Sequence, residues 1–166
     1  MDDMLVRFLS LRLLPPVALT SLGALLMITR VFGGVFSSTR PENLGLHDGK
    51  LVPCPNKPNC VHSEATDPRH AIASLAFTGN ADEAMQTLYA IISRMERTQV
   101  IIRQTDYLYV EVTSKLLGFV DDVEFVLDRQ AQRIQVRSAA RLGYGDFGVN
   151  RKRIETIRAV FNTYKP

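Results

Sequence analysis

Between Val100 and Val136 four short strand-like runs follow in quick succession, and this pattern constrains the fold more than any other feature of the chain. The runs are Val100-Ile-Ile102, then Leu108, Val110 and Val112 interleaved with Tyr109, Glu111 and Thr113, then Val123, Phe125 and Leu127, then Ile134 and Val136. The turns between them are too short for the crossovers that parallel neighbours need. The strands are therefore expected to form antiparallel hairpins with one face covered by helices.

Two helices are expected to provide that cover. The first starts at Asn80, with Glu83 three residues on, and carries Ala84, Leu88, Ile91, Ile92 and Met95 on one face. The second follows a glycine-rich loop and buries Ile154, Ile157, Phe161 and Tyr164 at spacings of three or four. A short strand around Leu75 to Thr78 completes an α+β fold of about five mainly antiparallel strands, in the order strand, helix, four strands, helix. Core parity requires Phe125 to face Ile134 or Val136 rather than Gln135. Pairing with Ile134 sets Asp122 opposite Arg137 and Asp121 opposite Ser138, whereas a shift by two sets Glu124 against Arg137. In either register these charges read as an exposed ladder worth about 0.2–1 kcal/mol per pair. Asp121 shares the core parity of Val123 and Phe125, so it needs solvent or a partner such as Arg141 or the basic start of the last helix.

Before this domain lies an uncharged stretch of seventeen residues, Leu13 to Thr29, fenced by Arg12 and Arg30. As a helix it reaches about 25 Å, and starting at Pro16 it can extend through Val31, Phe32 and Val35 to Phe36. Residues 1–36 are read as an uncleaved transmembrane anchor. No small-x-small site follows the apolar run as a cleaved signal would want, and Cys54 is too distant to be a lipoprotein cysteine. Arg7 and Arg12 precede the span while Arg30 and Arg40 follow it, so charge alone leaves the orientation nearly tied.

Residues 37–70 read as a linker and Cys-containing loop, and residues 71–166 as the α+β domain. Cys54 and Cys60, the two cysteines of the chain, lie in the proline-rich run Leu51 to Cys60. A disulfide in an exported domain is the expected state, and it favours a membrane location with the C-terminal domain in the periplasm or otherwise outside the cytoplasm. Two alternatives stand beside it: a metal site drawing on His47, His62 or His70, which lacks the spacing of a structural zinc site, and free thiols in a cytoplasmic domain. The three histidines are otherwise loop residues.

Charge is unevenly spread. Residues 129–166 hold nine Lys or Arg against two acids, although the whole chain is only +3. The densest polar run is Arg137-Ser-Ala-Ala-Arg-Leu-Gly-Tyr-Gly-Asp-Phe-Gly-Val-Asn-Arg-Lys-Arg153, in which Asn150 is suited to cap the last helix. Arg151, Lys152 and Arg153 in its first turn oppose the helix dipole by about 0.3–1 kcal/mol each, so internal acids or an external anion must compensate them.

The glycine spacing fits neither the dinucleotide fingerprint nor the P-loop. Tryptophan is absent and no basic-aromatic stripe is present, which argues against nucleic acid. No Ser-His-Asp or Cys-His arrangement is recognisable, and no cofactor is implied.

Four ordered motifs do carry a resemblance: Cys54-Pro-Asn-Lys-Pro-Asn-Cys-Val61, Phe119-Val-Asp-Asp-Val-Glu-Phe125, Arg137-Ser-Ala-Ala-Arg141 and Gly145-Asp-Phe-Gly-Val-Asn-Arg-Lys-Arg-Ile-Glu155. Over about residues 46 to 163 the chain resembles the uncharacterised bacterial and plastid family called domain of unknown function 1499. His62 departs from it, since the family commonly has serine there. The resemblance implies a small exported or membrane-anchored protein with no established activity or cofactor. Its motifs converge on Asp121, Asp122, Arg137, Arg141, Asp146, Asn150, Arg151 and Arg153, which are expected to form one cluster between the strand ends and the last helix.

The reading that follows is a membrane-tethered, non-catalytic binding or assembly module in which Arg137, Arg141 and the helix start meet an anionic lipid, envelope polymer or protein partner. Two rivals are a hydrolase with Asp121 or Asp122 as base beside Arg141 or Arg151, and a purely structural salt-bridge network.

Overall fold

A computed structural model describes residues 38–115 and 117–164. The stretch read as a transmembrane anchor lies outside the described residues. Among the described residues no helix is long and apolar enough to cross a membrane.

The fold is α+β, with two helices and a mainly antiparallel sheet. Strands β1 (Leu46–His47) and β2 (Lys50–Leu51) form a small hairpin. The main sheet contains β3 (Cys60–His62), β4 (Leu75–Ala76), β5 (Thr98–Arg103), β6 (Tyr107–Thr113), β7 (Val120–Asp128) and β8 (Arg133–Ala140). Its order is β3-β8-β7-β6-β5, and β4 also pairs with β8. The two short strands tile one edge of β8: β3 pairs with its C-terminal half, Cys60 opposite Ala139, and β4 with its N-terminal half, Leu75 opposite Ile134. Strand β3 lies within the stretch expected to be a linker and loop. Three residues amid prolines and asparagines are too few to display a period, so the sequence hid this strand.

The β7–β8 hairpin takes the shifted register, with Phe125 opposite Val136 and Glu124 opposite Arg137. Asp121 and Asp122 then face Ala140 and Ala139, not Ser138 and Arg137. Both registers keep Phe125 on the core side, so parity could not choose between them.

Helix α1 (Ala81–Ile92) begins as its cap predicts: the Asn80 side-chain oxygen accepts from the N–H groups of Asp82 and Glu83 at 2.8 and 3.2 Å. It buries Ala84, Met85, Leu88 and Ile92. Helix α2 (Val149–Thr163) buries Ile154, Ile157 and Phe161, whereas Tyr164, expected in the core, lies beyond the last turn and is exposed. Both helices cover the face of the sheet that carries Leu108, Val110, Val123, Phe125, Ile134 and Val136.

The other face is also covered. Leu44 and Leu51 pack on Tyr107 and Tyr109, and the Gly45 N–H donates to Glu124 at 2.7 Å. The expected ladder of exposed charges is consequently buried: Glu124 is 0% and Asp122 2% exposed. The histidines divide likewise. His47 is exposed, but His62 is buried in β3 and His70 is buried with its Nδ1 3.0 Å from the Cys60 carbonyl. Burial holds His62 below its ordinary titration range.

Candidate functional site

Strand alternation sends neighbouring residues to opposite faces, so the eight polar residues expected to cluster are divided by the sheet. Asp122, Arg137 and Arg141 lie on the face beneath residues 38–51. Asp121, Asp146, Asn150 and Arg153 lie on the helix side. Arg151 belongs to neither group, because its guanidinium donates to the carbonyls of Ala71 and Arg69 at 2.8 and 3.0 Å.

On the covered face Arg141 is the hub. It donates to Asp122 at 2.7 and 3.0 Å, pairs with Glu111, and reaches the Tyr109 hydroxyl at 3.0 Å and the Ser38 carbonyl at 3.3 Å. The Tyr109 hydroxyl lies 2.6 Å from Asp122, and Arg40 donates to Glu111 at 2.7 Å. Beside them Glu124 accepts from Arg137 at 3.2 Å and from the Tyr107 hydroxyl at 2.8 Å. Three carboxylates thus meet three guanidiniums, and Arg40, Arg137 and Arg141 are all engaged internally. Burial alone would push Glu111 up, but the bonds from Arg40, Arg141 and Tyr109 outweigh it and hold the carboxyl below its usual range. Burial and the adjoining carboxylates raise both tyrosines well above their ordinary values.

On the helix side Asp121 pairs with Arg153, and burial still pushes its carboxyl above the usual range because Arg153 offsets only part of the desolvation. Asn150 does not cap α2 as expected; it lies inside the first turn, fully buried. Its oxygen accepts from Ser138 at 2.5 Å and from Arg153 at 2.6 Å, while its amide donates to Asp146 at 2.8 Å and to the Asn59 carbonyl at 3.2 Å. Asp146 acts as the capping acid, accepting from the N–H groups of Gly148 and Asn150 at 3.0 and 2.8 Å. The first-turn arginines are therefore compensated from within, by Asp121 and by two carbonyls. Lys152 remains exposed.

Cys54 and Cys60 are joined in a disulfide, which removes their thiolates as metal ligands. The closed loop braces the glycine-rich segment: Asn59 donates to the carbonyls of Gly143 and Ala140 at 3.0 and 3.4 Å, and Pro58 sits against Gly145. A closed loop this small contributes about 2 kcal/mol. Reduction is expected to speed amide exchange selectively in residues 142–148 while the amides of β6 and β7 stay protected. Exchange mass spectrometry with and without reductant checks this, and uniform loss of protection would show that the bridge supports the whole fold instead.

Where the sheet ends, the β6–β7 connection and the glycine-rich segment enclose an open cleft of about 450 Å³. Leu117, Phe119, Leu142, Phe147 and Val149 line it, together with the charged side chains of Lys115, Asp121 and Asp146. A second opening of about 480 Å³, between α1 and the β5–β6 hairpin, is more polar, and there Arg103 stacks 3.7 Å over the Tyr89 ring.

Several residues of these layers carry no warning in the sequence taken singly. Glu124 and Asn59 lie inside the quoted motifs, and Tyr107, Tyr109 and Glu111 share the face of Asp122 across the β6–β7 ladder, which is the signal that would have grouped them. No curated protein matches the chain. Residues 50–161 match the family described as a protein of unknown function (DUF1499), about two thirds of the sequence, and the chain belongs to that family.

Proposed function

We propose that the chain is a membrane-anchored, extracytoplasmic binding module without catalytic chemistry, and that its ligand is an anionic amphiphile seated in the apolar cleft at the end of the sheet. The observation that carries this reading is a contrast. The buried arginines are consumed by internal carboxylates and carbonyls, whereas the cleft leaves large apolar side chains open beside the unburied Lys115. Recognition of an anion by Arg137 and Arg141 would require breaking buried pairs. Lys115, exposed in the cleft lining, and Lys152, exposed one helical turn beyond Val149, can meet an anionic head without that cost. Asp121 and Asp146 in the lining are already engaged by Arg153 and by the start of α2. The disulfide supports an oxidising compartment, and the apolar run from Leu13 to Phe36 supports an anchor.

Native mass spectrometry tests the reading on the full chain extracted from phosphatidylglycerol-containing membranes. A lipid-mass adduct is expected, lost in the double variant Leu142→Glu/Val149→Glu and weakened by Lys115→Glu. Absence of any adduct, or an adduct indifferent to all three substitutions, would reject it.

One observation favours a hydrolase instead: the raised carboxyl of Asp121 borders the cleft. That reading requires turnover of an acyl ester that Asp121→Asn abolishes in a folded protein.

A further inference from the structure

We propose that the rim of the cleft is a bilayer-docking surface, with the tips of the β6–β7 connection and the glycine-rich segment immersed in the headgroup layer of an anionic membrane. This rests on the membrane-anchor part of the reading above and does not depend on what occupies the cleft.

The distribution of apolar side chains is the first support. Among the described residues nine large apolar side chains are exposed, and Leu117, Leu142, Tyr144, Phe147 and Val149 account for five of them, all in these two adjoining segments. Phe147 is fully exposed at 106% and Tyr144 is 72% exposed. A scattered exposed leucine needs no explanation, but a contiguous patch of this kind marks a contact surface. The opposite tip of the same sheet is polar, with Arg129 bridging Asp82 and Asp106 at 2.7 and 2.5 Å.

The second support is where the chain enters the domain. The Ser38 carbonyl accepts from Arg141, the residue before Leu142 in the chain, and Arg40 is held by Glu111, so residues 38–40 are fastened to the sheet. The apolar run ends at Phe36, two residues before Ser38. Two residues extend about 7 Å at most, comparable to the depth of one headgroup layer. The domain's first fastened residue is thus only two positions along the chain from the end of the apolar run.

Charge is the third. Lys115 is exposed in the cleft lining and Lys152 is exposed three residues after Val149; both carry the charge that complements anionic headgroups, and an exposed tyrosine in the same segment suits the interface. Apolar tips flanked by lysines are the composition expected of a surface that dips into a bilayer without spanning it.

The test uses the full chain reconstituted in nanodiscs of phosphatidylcholine and phosphatidylglycerol, with an environment-sensitive fluorophore at Phe147→Cys, Leu117→Cys or Gln130→Cys. Retention of the chain on vesicles through an alkaline carbonate wash reports the anchor separately. Blue-shifted emission at 147 and 117, quenched by shallow spin-labelled lipid at least two-fold more than at 130, is the expected result. An anchored chain whose probe at 147 stays in water overturns the docking and leaves the anchor standing. A blue shift without lipid quenching overturns it in favour of a protein partner or a second copy. A chain that washes off in carbonate removes the anchor and the docking together.

Discussion

Arg141→Ala is expected to destabilise the domain by about 3–5 kcal/mol, the cost of leaving buried charges without their partner. The side chain is only 6% exposed and serves Asp122, Glu111, the Tyr109 hydroxyl and the Ser38 carbonyl at once. Its removal strands two carboxylates under residues 38–51, where water cannot readily replace the lost donors. Against a total stability of about 5–15 kcal/mol, that is a large fraction of the margin that keeps the domain folded. Arg141→Lys should fall between, because an ammonium cannot reproduce the planar fork that reaches Asp122 through two nitrogens. Urea unfolding of the three proteins checks the order, and an Arg141→Ala variant with a wild-type midpoint would mean that this face is hydrated rather than sealed.

Asn150 should be nearly as sensitive, and its substitutions separate hydrogen bonding from charge. Asn150→Ala removes two donors and one acceptor from a fully buried position and is expected to cost about 2–4 kcal/mol. Asn150→Asp keeps the acceptor for Ser138 and Arg153 but adds a carboxylate to a site already holding Asp121 and Asp146. Desolvation and like charge would raise the folded-state pKa of the new group above its unfolded value. Such a group favours the folded state most when protonated, so its contribution is lost as pH rises through the folded pKa. Asn150→Asp should therefore unfold at lower urea than wild type at pH 7 and recover on acidification to pH 5, whereas Asn150→Ala should show no such recovery. Parallel pH responses of the two variants would contradict this account of the network.

The framework of the fold is legible because its strands and helices repeat with clear periods. Leu108, Val110 and Val112 suffice to place β6, and Asn80 marks the start of α1. What escaped has physical reasons. Residues 38–62 lack any period, so neither the strand at Cys60 nor the cover over the second sheet face could be read. Without that cover, Glu111, Asp122 and Glu124 look like solvent-facing acids. The expectation of a single polar cluster overlooks that Asp121 and Asp122, adjacent in sequence, must point to opposite sides of a strand. Residue type alone puts Asn150 at the cap, although Asp146 lies four residues earlier and fills that role.

The tiling of β8 by two separate short strands has a consequence for self-association. A continuous open edge is a template on which another chain can add a strand, and here β3 and β4 occupy the β8 side. The remaining flank is β5, which is interrupted by a bulge between Val100 and Ile102 and ends in Arg103. Irregular spacing and a terminal guanidinium both oppose strand-by-strand growth, so crowding of many copies would not readily propagate into cross-β fibres.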